Sequence, residues 1–295
     1  MRNICAEMRC ILNILEVNNL TKRYGDVTAV DHISFSVEKG SLLGFLGVNG
    51  AGKTTAINMM ATLLTPDEGN VQLCGLTLGK DDTAIRRKIG IVYQQNCLDE
   101  ILTVRENLLC RGILHGATKT EAAKQCDRLS EILKLKDILE KKYRCLSGGQ
   151  KRRCEIAAAL MHTPEILFLD EPTTGLDPAT RVDVWDTIAS LQQHEKMTVF
   201  LTTHYMEEAA EADKIILLDH GRILDSGTPF ALKEKYAADK LKLYYRNKDA
   251  EERTIPSVFE ALPILETLRE QLDGFEVIQG NMDDVFLNAV KMAQS

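Results

Sequence analysis

Short apolar runs recur along the chain: LLGFLG at 42–47, IGIVYQ at 89–94, EILFLD at 165–170, MTVFLTT at 197–203 and KIILLD at 214–219. Several have no polar face at all, the pattern of strands covered on both sides. Helical patterns alternate with them, which predicts a largely parallel, doubly covered sheet of the α/β class. Between Gln95 and Pro164 the texture turns helical, with Ala122, Cys126, Leu129 and Leu133 repeating at helical spacing. A helical subdomain over about 95–164 is therefore expected as an insertion. Upstream, ILEVNNLTKRYGD and VDHISFSVEKG read as twisted antiparallel strands. Beyond about 235, LKLYYRN, SVFEALPILETLREQL, FEVIQG and NMDDVFLNAVKM predict a small strand, helix, strand, helix appendage over 236–295. Leu265, Leu268 and Leu272 form the apolar stripe of its first helix.

At 295 residues and 44% hydrophobic content, the chain can bury one large core plus an appendage. A net charge of -7 argues against a protein built to track nucleic-acid phosphates, so no nucleic-acid partner is expected. The eight cysteines form no CxxC pair or metal-like spacing and read as reduced thiols, with Cys145 and Cys154 expected to pack helices. Glu7, Arg9 and Asn13 interrupt any signal-peptide core near the start. No run approaches the ~18 apolar residues of a membrane span, so work at a membrane would need a second, membrane-spanning subunit.

GVNGAGKTT at 47–55 follows an apolar strand and opens a helical pattern, the context that a G-x-x-x-x-G-K-[ST] phosphate loop requires. Gly47, Gly50 and Gly52 let backbone amides approach phosphate oxygens; Asn49, Ala51 and Thr55 complete the loop. Lys53 is placed to reach the β and γ phosphates and the Thr54 hydroxyl to ligate Mg²⁺. At the end of ILFLDEP, Asp170 can join the magnesium shell and Glu171 can polarise a water for in-line attack, although paired acids before proline also occur in plain turns. His204 follows the next strand, where ligands of such sheets gather; a lone histidine there also serves as an ordinary structural residue.

A second glycine turn, CLSGGQKRRCE at 145–155, opens another helix without any lysine. Ser147, Gly148, Gly149 and Gln150 fit an anion-ready helix start, and equally a capping box with Ser147 as N-cap. Taken in order, GVNGAGKTT, IVYQQN, LSGGQ, ILFLDEP, TTGLD and LTTH resemble the ATP-binding subunits of ABC transporters over most of residues 14–230. That resemblance implies a P-loop NTPase fold with a RecA-like sheet, an N-terminal antiparallel β subdomain, the inserted helical subdomain and the C-terminal appendage. It sets a nucleotide-binding domain at 14–235 and leaves 1–13 as an extension, with Met8 an alternative start.

The resemblance also assigns roles. Tyr24 stacks on adenine, unless it is an ordinary core tyrosine. Gln94, with Gln95 beside it, joins the magnesium shell and senses the γ-phosphate. Asp177 communicates across a dimer, or simply caps the helix at Pro178. Ser147 and its glycines contact the ATP held by the opposite subunit, so two chains, expected to be identical, would sandwich two ATP molecules. Val48 and Tyr93 stand where relatives often carry proline, which removes no ligand. The implied activity is hydrolysis of ATP to ADP and phosphate at the cytoplasmic face of the cell membrane, driving a membrane-spanning permease. NMDDVFLNAV resembles the ending of exporter subunits, though an amphipathic docking helix would read the same. The alternative is a soluble, non-transport ABC-type ATPase acting in DNA repair, on the ribosome or in cluster assembly.

Overall fold

The computed structural model of the chain describes residues 13–294. Residues 1–12, with Cys5, Met8, Cys10 and nearly all of the expected extension, lie outside the described residues. The five apolar runs become β3 (Leu42–Leu46), β6 (Ile89–Val92), β7 (Ile166–Asp170), β8 (Thr198–Thr203) and β9 (Lys214–Asp219). With β10 (Arg222–Gly227) they form one sheet, ordered β10-β9-β3-β8-β7-β6 and parallel except at β10. Their missing polar face has a direct cause, because alternate residues enter two different cores. Leu43, Phe45, Phe168 and Phe200 face one, whereas Leu42, Leu46, Leu167 and Leu201 face the other.

The first core lies under a second, antiparallel sheet, β2-β1-β4-β5, built from β1 (Asn13–Tyr24), β2 (Val27–Glu38), β4 (Glu68–Leu73) and β5 (Leu76–Thr77). Its β1 and β2 come from the expected upstream segments, and β4 and β5 join them from beyond the phosphate loop. Phe35 reaches across to Phe45 and Phe200 at ring-centroid distances of 5.7 and 6.0 Å. Each such aromatic pair adds about 0.5–1.5 kcal/mol to the burial of its area. Helix α1 (Lys53–Met60) lies in this core through Ala56, Ile57, Met59 and Met60, and α2 (Asp82–Lys88) leads into β6.

The other core is closed by α3 (Val104–Leu114), α4 (Lys119–Ile132), α5 (Gly148–Leu160) and α6 (Pro178–Glu195). The expected stripe Ala122, Cys126, Leu129 and Leu133 is fully buried there. Capping boxes at Thr103/Glu106, Thr118/Glu121 and Ser147/Gln150 fix where α3, α4 and α5 begin.

The C-terminal region departs from its expected form. After α7 (Pro229–Tyr236), strands β11 (Asp239–Tyr245), β12 (Glu251–Ile255) and β13 (Leu272–Ile278) make a separate antiparallel sheet under α8 (Ala261–Leu268). The strand β12 was not expected, since EERTI is mostly charged and offers only Ile255 to its small core. Leu272 is not helical: α8 ends at Leu268, and Leu272 pairs with Tyr245 across the sheet. The last helix, α9 (Met282–Gln294), leaves the appendage and packs on the main body. Met282, Val285, Phe286 and Ala289 are buried in the same core as Leu217, and Asn288 Nδ2 donates to Tyr236 O at 2.7 Å. Cys154 packs its helix fully buried, but Cys145 is exposed. Tyr24 is 52% exposed, which removes the core-tyrosine alternative.

Candidate functional site

The phosphate loop lies at the carboxyl end of β3. Gly52 is the N-cap of α1 at φ 104, and a Cβ there would sit 2.3 Å from Ala29 O. Only glycine fits that turn and approach. At Gly47 the obstacle is backbone as well, with Leu218 O 2.4 Å from the position of a Cβ. No side chain caps α1, so its first amides are left to a ligand. Asn49, Gly50, Gly52, Lys53, Thr54 and Thr55 line one cleft of about 460 Å³ together with Gln94, Glu171, Thr174 and His204. Ala51 is buried behind it and holds the loop, donating to Val48 O at 3.1 Å.

Lys53 is buried, its ammonium donating to Gly47 O at 2.8 Å and Val48 O at 3.2 Å and pairing with Glu171 Oε1 at 3.2 Å. Parallel register sets Asp170 beside Thr202 and brings the acidic pair next to the phosphate loop. Asp170 Oδ1 accepts from Thr202 Oγ1 at 2.7 Å and from Thr54 Oγ1 at 3.4 Å. Glu171 has φ 46, uncommon for a residue with a side chain. Its amide is held by Thr202 O at 3.1 Å and Thr202 Oγ1 at 3.0 Å, so the surroundings enforce a conformation that costs of order 1–3 kcal/mol.

Three further groups converge on the Glu171 carboxylate. His204 Nδ1 lies 3.0 Å from Oε2, Thr174 Oγ1 donates to it at 3.1 Å, and Gln94 Nε2 at 3.5 Å. Burial pushes this carboxyl up, but the Lys53 ammonium outweighs it with help from Thr174 and His204, leaving the group below its ordinary value. Glu171 is therefore a carboxylate at neutral pH, able to accept a proton or orient a water. Of the two adjacent glutamines, Gln94 is the one whose side chain enters the cleft.

Among the described residues no cluster of three or more His, Cys, Asp or Glu side chains could hold a metal by itself. The Thr54 hydroxyl beside the Asp170 carboxylate is a small set of hard oxygens. Such a set fits Mg²⁺, which keeps waters and shares phosphate oxygens, and does not fit a soft metal.

Two expected groups stand outside this cleft. Tyr24, at the end of β1, is not among its lining residues; the Lys22 ammonium lies 5.9 Å from its ring. Ser147, Gly148 and Gln150 are absent from the lining as well. Ser147 caps α5 reciprocally with Gln150, donating to Oε1 at 3.1 Å and accepting from the Gln150 amide at 3.4 Å. Gly149 is instead packed against α6, where a Cβ would lie 2.2 Å from Thr180 Cγ2. Asp177 caps that helix, accepting from Thr180 N at 3.1 Å and Thr180 Oγ1 at 2.6 Å, and those bonds hold its carboxyl below the usual range. The LSGGQ turn thus meets the start of α6 beside Asp177, with Ser147, Gly148 and Asp177 exposed and none of them lining the cleft of this chain's own Lys53.

Sequence reasoning passed over several residues that hold the site. Glu208 accepts from Thr173 Oγ1 at 2.5 Å and Thr203 Oγ1 at 2.7 Å, tying the segment after Glu171 to the strand before His204. Glu207 accepts from Met282 N at 2.9 Å, so the tail motif NMDDVFLNAV braces the segment that follows His204. Arg152 and Glu155, within the quoted CLSGGQKRRCE, are only 4% and 6% exposed. For Glu155 the available signal was its place between Cys154 and Ile156 on a helix; Arg152, between Lys151 and Arg153, offered none.

A glycine-rich loop with a buried lysine, a strand-end Asp-Glu pair and a histidine on the next strand, all at the carboxyl ends of one parallel sheet, define a P-loop nucleoside-triphosphatase. Residues 30–174 match the ABC transporter family. The chain is 36% identical over 298 residues to the Nod factor export ATP-binding protein I of Ralstonia nicotianae, covering 93% of this chain and 92% of that protein. It belongs to the ATP-binding subunits of ABC transporters and is an ATPase of that family. It is also 42% identical over 233 residues to the daunorubicin resistance ATP-binding protein DrrA3 of Streptomyces coeruleorubidus, covering 79% of this chain and 73% of that one. Among solved structures it resembles CbiO1 of Clostridium perfringens, part of an ABC transporter complex, with TM-score 0.70, 28% identity and coverage of 75% and 90%. A dimeric post-hydrolysis ATP-binding cassette bound to ADP and Pi superposes with TM-score 0.66 at 28% identity, covering 73% of this chain and 98% of that one.

Proposed function

We propose that this chain is the ATP-hydrolysing subunit of an exporter, and that it works as half of a symmetric pair. In this reading the phosphate loop and Lys53 bind the triphosphate. Thr54, Asp170 and Gln94 would hold Mg²⁺, which when bound would draw charge from the phosphate oxygens. Glu171 polarises the attacking water, and His204 contacts the γ-phosphate. Tyr24, exposed at the end of its strand, stacks on adenine. Ser147, Gly148, Gly149 and Gln150, with Asp177 beside them, complete the site of a second copy. Closing the pair would bury two nucleotides, and hydrolysis would release it.

One observation carries the reading: Lys53, Gln94, Thr174 and His204 converge on Glu171, while the LSGGQ turn contributes no residue to the lining of that cleft. Export as the direction rests on relatives named for Nod factor export and daunorubicin resistance. No helix among the described residues is long and apolar enough to cross a membrane; in this reading a separate membrane-spanning permease, met at the cytoplasmic face, carries the substrate. An open cleft lined by Ile91, Tyr93, Ala158 and Ala159, next to Gln94, offers such a partner a largely apolar seat. Purification from detergent-solubilised membranes is expected to bring down a polytopic protein. Recovery only with ribosomes, DNA or assembly scaffolds would favour the soluble alternative.

A further inference from the structure

The segment that carries Gln94 has no regular structure between β6 and α3, so its backbone groups need partners from elsewhere. Two side chains of α5 supply them. Arg152 Nη1 donates to Tyr93 O at 2.6 Å and Nη2 to Gln94 O at 3.1 Å. Glu155 Oε1 accepts from Cys97 N at 2.8 Å and from Leu98 N at 3.1 Å, and also from Tyr143 Oη at 2.7 Å. Arg152 and Glu155 are three apart, hence on one helix face. Both are nearly fully buried, where a charge is retained only if its hydrogen bonds are met. Two buried charges, each met by backbone groups of the Gln94 segment, are a poor source of net stability compared with apolar packing, so their use here points to geometry rather than to energy.

The same helix begins at Ser147, about one and a half turns from Arg152. The backbone of Tyr93 and Gln94 is therefore tied to α5 through the planar guanidinium of Arg152, and the backbone of Cys97 and Leu98 through the carboxylate of Glu155. We propose that Arg152 and Glu155 are positioning residues that make the Gln94 segment and the LSGGQ helix one rigid unit. The state of one chain's nucleotide, read by Gln94, then sets how that chain presents Ser147 to its partner. This deepens the proposed function and rests on its assignments of Gln94 and Ser147.

The test uses full-length chain in which Glu171→Gln has been introduced and ATP-dependent dimerisation is followed by light scattering. If Glu171→Gln alone gives no ATP-dependent dimer, the composite-site reading fails before this inference is reached. With the dimer formed, Arg152→Met is expected to raise the ATP concentration for dimerisation about tenfold, and in the Glu171 background to lower kcat with KM within about twofold. Glu155→Ala is expected to act likewise, whereas Glu155→Gln keeps an oxygen for both amides and restores dimerisation. The decisive comparison is with Gln94→Ala: if Arg152 acts through Gln94, the double variant is no worse than the poorer single one. Additive losses, or undiminished dimerisation by Arg152→Met and Glu155→Ala, would overturn the inference. Arg152→Lys, which keeps the charge but not the two-pronged grip, serves if the methionine variant does not fold, and wild-type behaviour of that lysine variant would overturn it too.

Discussion

Two helices of this chain start in glycines, and their first turns are finished differently. At Gly52 the helix has no side-chain cap, a buried lysine as its first residue and backbone turned to positive φ. At Ser147 the helix is capped reciprocally by Ser147 and Gln150, carries no lysine, and lies against the start of α6. The first is an anion site left open, where bare amides and Lys53 face a cleft that the same chain furnishes with Glu171, Gln94 and His204. The second is already satisfied within its own chain and presents its exposed serine outward. A helix N-terminus alone does not distinguish the two. What surrounds it does, and the surroundings of Ser147 suit a half-site offered to a second chain.

The largest effect is expected inside the open site. Glu171→Gln removes the proposed base and the charge paired with Lys53. Hydrolysis should fall about 10²–10⁴-fold while ATP binding is retained or tightened, as steady-state turnover and nucleotide titration would measure. A normal rate would assign the water to another residue.

Gly149→Ala probes the other helix start. Its Cβ would meet Thr180 Cγ2, and Thr180 cannot rotate away without losing its bond to Asp177. The expected cost is about 1–3 kcal/mol in thermal or denaturant unfolding, with ATP binding at the phosphate loop preserved. Ser147→Ala should cost less, about 1 kcal/mol from the lost cap, and its effect on turnover should exceed its effect on nucleotide affinity.

The smallest effect concerns pH. Because the folded Glu171 carboxyl is held below its ordinary 4.5, its pairing with Lys53 is present above that value and is lost as pH falls through the depressed one. The stability difference between the wild type and Glu171→Gln should then be flat from about pH 6 to 8 and shrink only below the ordinary carboxylate range. A change centred near neutrality would contradict the ion pair.

The chemistry of the open site was legible because each of its residues sits in a local pattern. GVNGAGKTT follows an apolar strand, and Asp170, Glu171 and His204 terminate others. Its supports were less legible, because they act across the fold. Arg152 and Glu155 look like surface charges until the Gln94 segment is laid on them, and Glu208 bonds to Thr173, 35 residues before it, as well as to the nearby Thr203. In the appendage the failures have similar origins. Leu272 continues the spacing of Leu265 and Leu268, yet pairing with Tyr245 claims it for a strand. β12 is a charged edge strand that hydrophobic periodicity cannot detect. The pattern of α9 did predict an amphipathic helix, but not that its apolar face docks on the main core.

The central claim is that Ser147 of one chain completes the site built around Lys53 of another. Mixing a Lys53→Ala chain with a Ser147→Arg chain tests it most directly, because a heterodimer keeps one site in which both halves are intact. With random pairing and independent sites, about a quarter of wild-type turnover should return, well above either variant alone. A mixture no more active than its components, or a Ser147→Arg chain as active as wild type by itself, would contradict the account.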